Sequence, residues 1–284
     1  AAKKILTECF GEPDGSVKIL TNADLEKGFY PSAQILSHAY KNAAKELGYS
    51  IEFHITPTKT EWDVPSEEDV EFLKAARPGD CYLFITNIKG GKFSDTSLGM
   101  PPGEFLADRR AHYGLHFRMG NLSEQELGQY IHSLDADYLE MRQEAGELEQ
   151  KLVNARGAVL TTGERSELYF NGAFKKPTIA CGDFTGRNGY GGNLPTGEIY
   201  TELQEPQKLN GTFQFFAYPT STDVFFCPDP LTLEIEDGHI ISLHNKSTNS
   251  KQADNFIDAL NEIREKNKGT VFENDYNLIR EFGI

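Results

Sequence analysis

The residues best suited to chemistry lie between positions 187 and 204, RNGYGGNLPTGEIYTELQ. Gly189, Gly191 and Gly192 lead into Asn193-Leu194-Pro195, and the turn Pro195-Thr196-Gly197 delivers Glu198 to the start of a strand. Proline fixes φ and glycine opens backbone angles closed to other residues, so this turn is stiff. Glu198 and Tyr200 are two apart and share one face of that strand. A carboxylate held on a rigid turn suits metal coordination or the binding of an amine. The plainer alternative is an exposed or salt-bridged strand carboxylate. Upstream, Arg187 and Asn188 open a loop that could close over an extended backbone.

Other constellations are weaker. No HExxH or HxH cluster, GxSxG elbow or P-loop occurs. His239 and His244 are five apart on an expected strand and point to opposite faces. His112 and His116 would meet only on a helix, and an expected strand start near Gly114 argues against one. Cys9, Cys81, Cys181 and Cys227 form no CxxC pair. They read as buried free thiols of a reducing cytoplasm.

The 284 residues suit one large or two medium domains, and 38% apolar with 25% charged residues is a globular composition. A net charge of −15 disfavours nucleic acid and anionic membranes while tolerating a neutral or cationic peptide. No apolar run is long enough for a membrane helix and no secretory signal opens the chain, so a cytoplasmic location is expected. The start at Ala1 reads as a trimmed or processed N-terminus.

The elements that must position Glu198 follow from periodicity. Residues 1–155 alternate strand and helix: strands at 16–21, 50–56, 81–87 and 114–119, helices at 31–47, 67–76, 104–113, 124–133 and 136–155. Ser66 with Asp69, and Ser123 with Glu126, form capping boxes. The all-apolar run 81–87 suits a parallel sheet covered on both faces. Residues 156–284 carry strands at 158–162, 167–171, 178–182, 197–201, 211–217, 223–227, 231–236 and 239–244, with a hairpin at Asp237-Gly238 and a helix at 251–266. The expected fold is α/β: an open, flavodoxin- or Rossmann-like domain over 1–155, then a β-rich α+β domain over 156–284.

The segment 187–204 resembles the NLP-[ST]-GEV-[FY] signature of the thermophilic-type zinc aminopeptidases, family M29. The flanking order is also similar: a long helix into a strand ending TTG (151–163), ELYFNG (167–172), LTLEIEDGHIISL (231–243), and a final REFGI (280–284) near the family's R-x-x-GE-[LF]-G-[IL] segment. In that family two glutamates, two histidines and an aspartate, with a tyrosine nearby, hold two metal ions. The resemblance places the first glutamate at Glu198 and the second at Glu281. The sequence stops at Ile284 before the remaining ligands appear, so the second domain is expected to be truncated relative to the family. The resemblance therefore implies a scaffold without catalysis or cofactor, in which Glu198 and Glu281 are vestigial ligands. Arg187, Asn188, Asn193, Glu198 and Tyr200 are expected to bind a peptide. Similar truncated relatives occur in ribosomal peptide natural-product pathways such as that of crocagin, which implies a precursor peptide and modifying enzymes as partners. The alternatives are a metallo-aminopeptidase completed by another subunit, and a dimerisation or assembly partner, either as a homodimer or with an active homologue.

Overall fold

The run Cys81–Ile85 offers no polar face, and the fold gives it none: every residue in it is buried. The computed structural model describes residues 1–11, 14–22, 31–57, 63–86, 91–117, 119, 122–163, 166–187, 189–219, 224–245, 250–270, 273–279 and 281–283. Asn188, Arg280 and Ile284 lie outside these. In chain order the elements begin with α1 (Ala2–Lys4, continued by a π-helical turn, Ile5–Cys9), β1 (Val17–Thr21), α2 (Pro31–Glu46), β2 (Ile51–Ile55), α3 (Glu67–Lys74) and β3 (Cys81–Ile85). Next come α4 (Pro102–Asp108), β4 (His112–His116), α5 (Glu124–Ser133), α6 (Tyr138–Asn154), β5 (Ala158–Thr162), β6 (Ser166–Phe170), β7 (Thr178–Ala180) and β8 (Gly191–Asn193). The remainder is β9 (Glu198–Glu202), β10 (Leu209–Pro219), β11 (Val224–Glu236), β12 (His239–Asn245), α7 (Ser250–Asn267) and β13 (Glu281–Gly283).

The chain forms two units, and both are discontinuous. One comprises Ala1–Ala145 with Ala180–Glu198, the other Gly146–Ile179 with Ile199–Ile284. The expected division at 155/156 is thus corrected. The boundary falls inside α6, and a later segment returns to the first unit. The cause is β8, which pairs in parallel with β4 through Tyr113↔Gly191, Gly114↔Gly192 and Leu115↔Asn193. A Cβ at Gly191 would lie 2.1 Å from the Tyr113 carbonyl oxygen, so the approach demands glycine.

In the first unit β8 completes a five-stranded sheet of order β2-β1-β3-β4-β8, parallel throughout. Successive residues of β1 and β3 feed opposite cores. Val17, Ile19, Cys81, Leu83 and Ile85 join Leu36 and Tyr40 of α2, while Leu20, Tyr82 and Phe84 join Val70 and Leu73 of α3 and Leu106 of α4. Burial on both faces is the reason these strands carry no polar alternation. Both capping boxes form, Ser66 with Asp69 and Ser123 with Glu126. The fourth strand runs from 112 to 116 rather than over 114–119. Helix α4 ends early because Arg110 takes a left-handed φ of 56°, so the chain is already extended at His112.

A buried ion pair pins the N-terminal ends of β1 and β3. Lys18 Nζ lies 3.3 Å from Asp80 and 3.2 Å from the Tyr82 hydroxyl. Burial alone would raise the Asp80 pKa, but hydrogen bonds from Ser16 and the Arg77 amide, with the Lys18 charge, hold it below the ordinary carboxylate value.

The second unit is an antiparallel sheet, β12-β11-β10-β6-β5, with a three-stranded sheet β13-β9-β7. The expected strands at 223–227 and 231–236 prove to be one, β11. Pro228 and Pro230 fall in an interval where Phe215↔Leu231 is followed by Ala217↔Phe226, and an irregularity of this kind tolerates prolines that lack a ladder donor. The Asp237-Gly238 hairpin forms with both residues at positive φ, 50° and 81°. Phe256 of α7 packs on Phe215 and Tyr218, with ring centroids 5.2 and 5.0 Å away. Among the described residues no helix is long and apolar enough to cross a membrane.

Two glycine substitutions should move stability in opposite directions. Gly191→Ala forces the β8 backbone off Tyr113 and should cost about 1–3 kcal/mol. Gly128→Ala, inside α5 with open space at its Cβ, should add about 0.5–1 kcal/mol. Urea unfolding measures both, and an undiminished midpoint for Gly191→Ala would contradict the β4–β8 pairing.

Candidate functional site

The turn ahead of β9 is gripped from two sides. On one, the Leu194 N–H donates to the Leu115 carbonyl at 2.9 Å, and the Tyr130 hydroxyl donates to the Leu194 carbonyl at 2.7 Å. On the other, the Gly197 N–H donates to the Ala180 carbonyl at 2.9 Å, and the Thr196 hydroxyl donates to the same oxygen. The Leu194–Pro195 peptide bond is cis. Gly197 has φ +141°, which only glycine adopts readily, and its α-carbon faces the Met141 thioether. Leu194 anchors the turn in the first core, leaving Asn193, Pro195, Gly197 and Glu198 exposed.

Behind the turn lies a relay of buried polar groups. His116 is fully buried. Its Nε2 is 2.8 Å from the Tyr40 hydroxyl and its Nδ1 2.7 Å from the Tyr130 hydroxyl. Tyr130 donates its own proton to the Leu194 carbonyl, so its oxygen accepts from His116 Nδ1–H, and Nε2 accepts from Tyr40. One neutral tautomer satisfies the chain. Burial pushes the His116 pKa down to about 3, and burial pushes the Tyr40 and Tyr130 hydroxyls up, so all three stay uncharged.

The remaining candidates separate. His112 and His116 share the β4 strand, not a helix, and they point to different partners, since His112 Nδ1 contacts the Phe184 carbonyl at 2.6 Å. His239 lies 3.2 Å from Asn277, and His244 meets Ser242 at 2.9 Å with Glu234 at 3.4 Å. Arg187 is exposed beside a turn closed by Gly186 N–H to the Gly189 carbonyl, 2.9 Å. Burial along β9 alternates, with Ile199 and Thr201 inside and Glu198, Tyr200 and Glu202 more open, so Glu198 and Tyr200 share a strand face. Glu281 of β13 pairs with Glu202, not with Glu198, and Gly283 pairs with Tyr200. The register therefore does not set the two expected vestigial ligands opposite each other. Among the described residues no group of three or more His, Cys, Asp or Glu is arranged to hold a metal ion.

All four cysteines are buried free thiols. Burial pushes Cys9 up to about 12 and Cys81 higher still, which suppresses the thiolate. Sequence spacing weighed His116 only beside His112 and missed its relay with Tyr40 and Tyr130. A second cluster it missed joins His54 Nε2 to Asp69 at 2.6 Å and the Thr56 hydroxyl to the same carboxylate at 2.9 Å, extending the α3 capping box to the end of β2.

No protein-family model matches the chain, and no curated protein does. Among solved structures, 2,5-dihydroxypyridine dioxygenase from Pseudomonas putida KT2440 is similar in fold, with a TM-score of 0.62 and 16% identity over 99% of this chain and 74% of that one. At that identity the likeness establishes a shared mixed α/β architecture.

The His116 relay makes a pH prediction. The unfolded histidine takes up its proton near 6.5 and the folded one only near 3. Its contribution to stability is therefore complete above pH 6.5 and lost as pH falls toward 3. Between pH 7 and 5 the loss should be about 2 kcal/mol. Urea midpoints of the wild type and His116→Gln across this range should diverge in slope by that amount; parallel slopes would show that His116 titrates in the fold as it does in the unfolded chain.

Proposed function

We propose that the chain is a non-catalytic peptide-binding protein on a scaffold of the thermophilic-type metallopeptidase kind, with Glu198 as anchor for a peptide ammonium or a basic side chain. The observation carrying this is the exposed Glu198 carboxylate, which has no partner among the described residues while the backbone beneath it is fixed at Leu194, Thr196 and Gly197. A charge on a backbone already held in place loses little conformational freedom on binding. Asn193, exposed on β8, and Tyr200, two positions along β9, supply amide and phenol groups on the same stretch of chain. Arg187 of the preceding loop is a candidate for peptide carbonyls. The net charge of −15 favours a cationic partner and hastens its encounter. The parallel strand order supports reading the first unit as flavodoxin-like and doubly wound. In this reading the partner is a ribosomally made precursor peptide and the protein presents it to modifying enzymes.

A second reading is favoured by the shared fold: an enzyme of the dioxygenase kind. Oxygen uptake with dihydroxylated aromatic substrates, together with metal analysis of the purified protein, separates the two.

The peptide reading is tested by retention of short cationic peptides on immobilised protein. Peptides with free N-termini should bind, and Glu198→Ala combined with Tyr200→Ala should weaken binding about tenfold or more, 1.4 kcal/mol. N-acetylation should cost a similar amount where the ammonium is the anchor. Retention unchanged by both variants and by acetylation would place binding elsewhere on the chain or remove it.

A further inference from the structure

The last strand of the parallel sheet leaves one side of its backbone open. Among the described residues β8 is paired to β4 alone. On that side the Tyr113 N–H donates to the Tyr190 carbonyl at 2.8 Å, and the Leu194 N–H donates to the Leu115 carbonyl at 2.9 Å. The register Gly114↔Gly192 gives the two bonds between these to Gly192, whose N–H meets Tyr113 and whose carbonyl meets Leu115. In a planar trans peptide the C=O and the following N–H point in opposite directions. The Tyr190 carbonyl points to β4, so the Gly191 N–H points away from it. The same step along the chain turns the Gly191 carbonyl, the Asn193 N–H and the Asn193 carbonyl to the far side.

Two donors and two acceptors therefore face outward, and none has a hydrogen-bond partner among the described residues. They are within reach of a ligand, since Gly191 and Gly192 are partly exposed and Asn193 is exposed. Neither glycine raises a side chain against an approaching backbone. Charged residues and proline, which close an edge to pairing, are absent from β8. At the opposite edge of the sheet β2 carries Glu52 and His54.

Donors and acceptors in this alternation match an extended main chain. A second copy of the chain fits poorly. An edge of three residues shared by two folded bodies buries far less than the roughly 1,000 Å² of a lasting interface, and both copies carry a charge of −15. A cationic peptide is attracted by the same charge and follows the edge with no second folded surface to fit.

We propose that an extended peptide joins the sheet of the first unit as an added strand, paired through its main chain to Gly191 and Asn193. The proposal rests on the peptide reading of Glu198, which follows β8 in the same unit after the turn at 194–197. It narrows the ligand class to chains without proline at the two alternate residues whose N–H groups donate to the Gly191 and Asn193 carbonyls.

Amide hydrogen exchange followed by NMR on the full chain, with the hexapeptide amide KTVTVT as probe, tests this. In the free chain the Gly192 and Leu194 amides should exchange slowly and the Gly191 and Asn193 amides fast. Saturating peptide should slow Gly191 and Asn193 by about tenfold or more. In a scan of singly N-methylated peptides, methylation at two alternate amides should weaken binding about fivefold or more, and at the amide between them less than about twofold. Asn193→Pro removes an outward N–H and no bond to β4, so it should weaken binding far more than Asn193→Ala, which keeps the main chain. The peptide scan needs no protein variant and stands if Asn193→Pro fails to fold. Binding that depends on Glu198 but leaves Gly191 and Asn193 exchanging freely, or a flat N-methyl scan, would overturn the added strand and leave the Glu198 reading in place. Slow exchange of both amides in the free chain would show the edge already covered and overturn it too, and absence of peptide binding would overturn both readings.

Discussion

The pairing of three residues, Gly191 to Asn193, with β4 is the contact on which the candidate site depends. It is short, and its sequence has no apolar side chain with which to drive docking. What holds it is backbone hydrogen bonding, made possible because glycine lets Gly191 sit against the Tyr113 carbonyl. Once docked, the strand delivers Leu194 into the core, where Tyr130 takes hold of its carbonyl. The turn that follows, and hence the direction in which Glu198 leaves it, is set by this anchorage.

Much of the architecture could be read from residue types alone, because local chemistry and tertiary context agree. Ser66 and Ser123 cap their helices as their i+3 acids indicate. Cys81–Ile85 reads as a doubly covered strand and is one. Asp237-Gly238 turns a hairpin. The failures occur where the deciding partner is remote. Gly-Gly-Asn resembles a loop until β4 is beside it. Pro228 and Pro230 look like a strand break because their tolerance depends on an irregular register with β10.

The site was legible in outline and opaque in support. A stiff turn presenting Glu198 and Tyr200 on one strand face follows from proline, glycine and period two, and the burial along β9 agrees. Nothing in the spacing of Tyr40, His116 and Tyr130 announces a relay, since the three come from α2, β4 and α5 and meet only through packing. His116 was weighed only as a partner of His112 against a surface or core histidine, and the structure makes it a fully buried core residue at the end of β4. Burial explains why it is neutral: both ring nitrogens are engaged by tyrosine hydroxyls, and desolvation disfavours a second proton.

The interleaved order of the two units has a consequence for biogenesis. During synthesis the parallel sheet of the first unit must wait with the edge of β4 unpaired while the strands β5, β6 and β7 emerge, since its last strand arrives only at Asn193. Over that interval of nascent chain the vacant donors and acceptors of β4 are a template for wrong pairing. A pause in synthesis at any point before β8 has cleared the ribosomal exit tunnel would prolong that exposure.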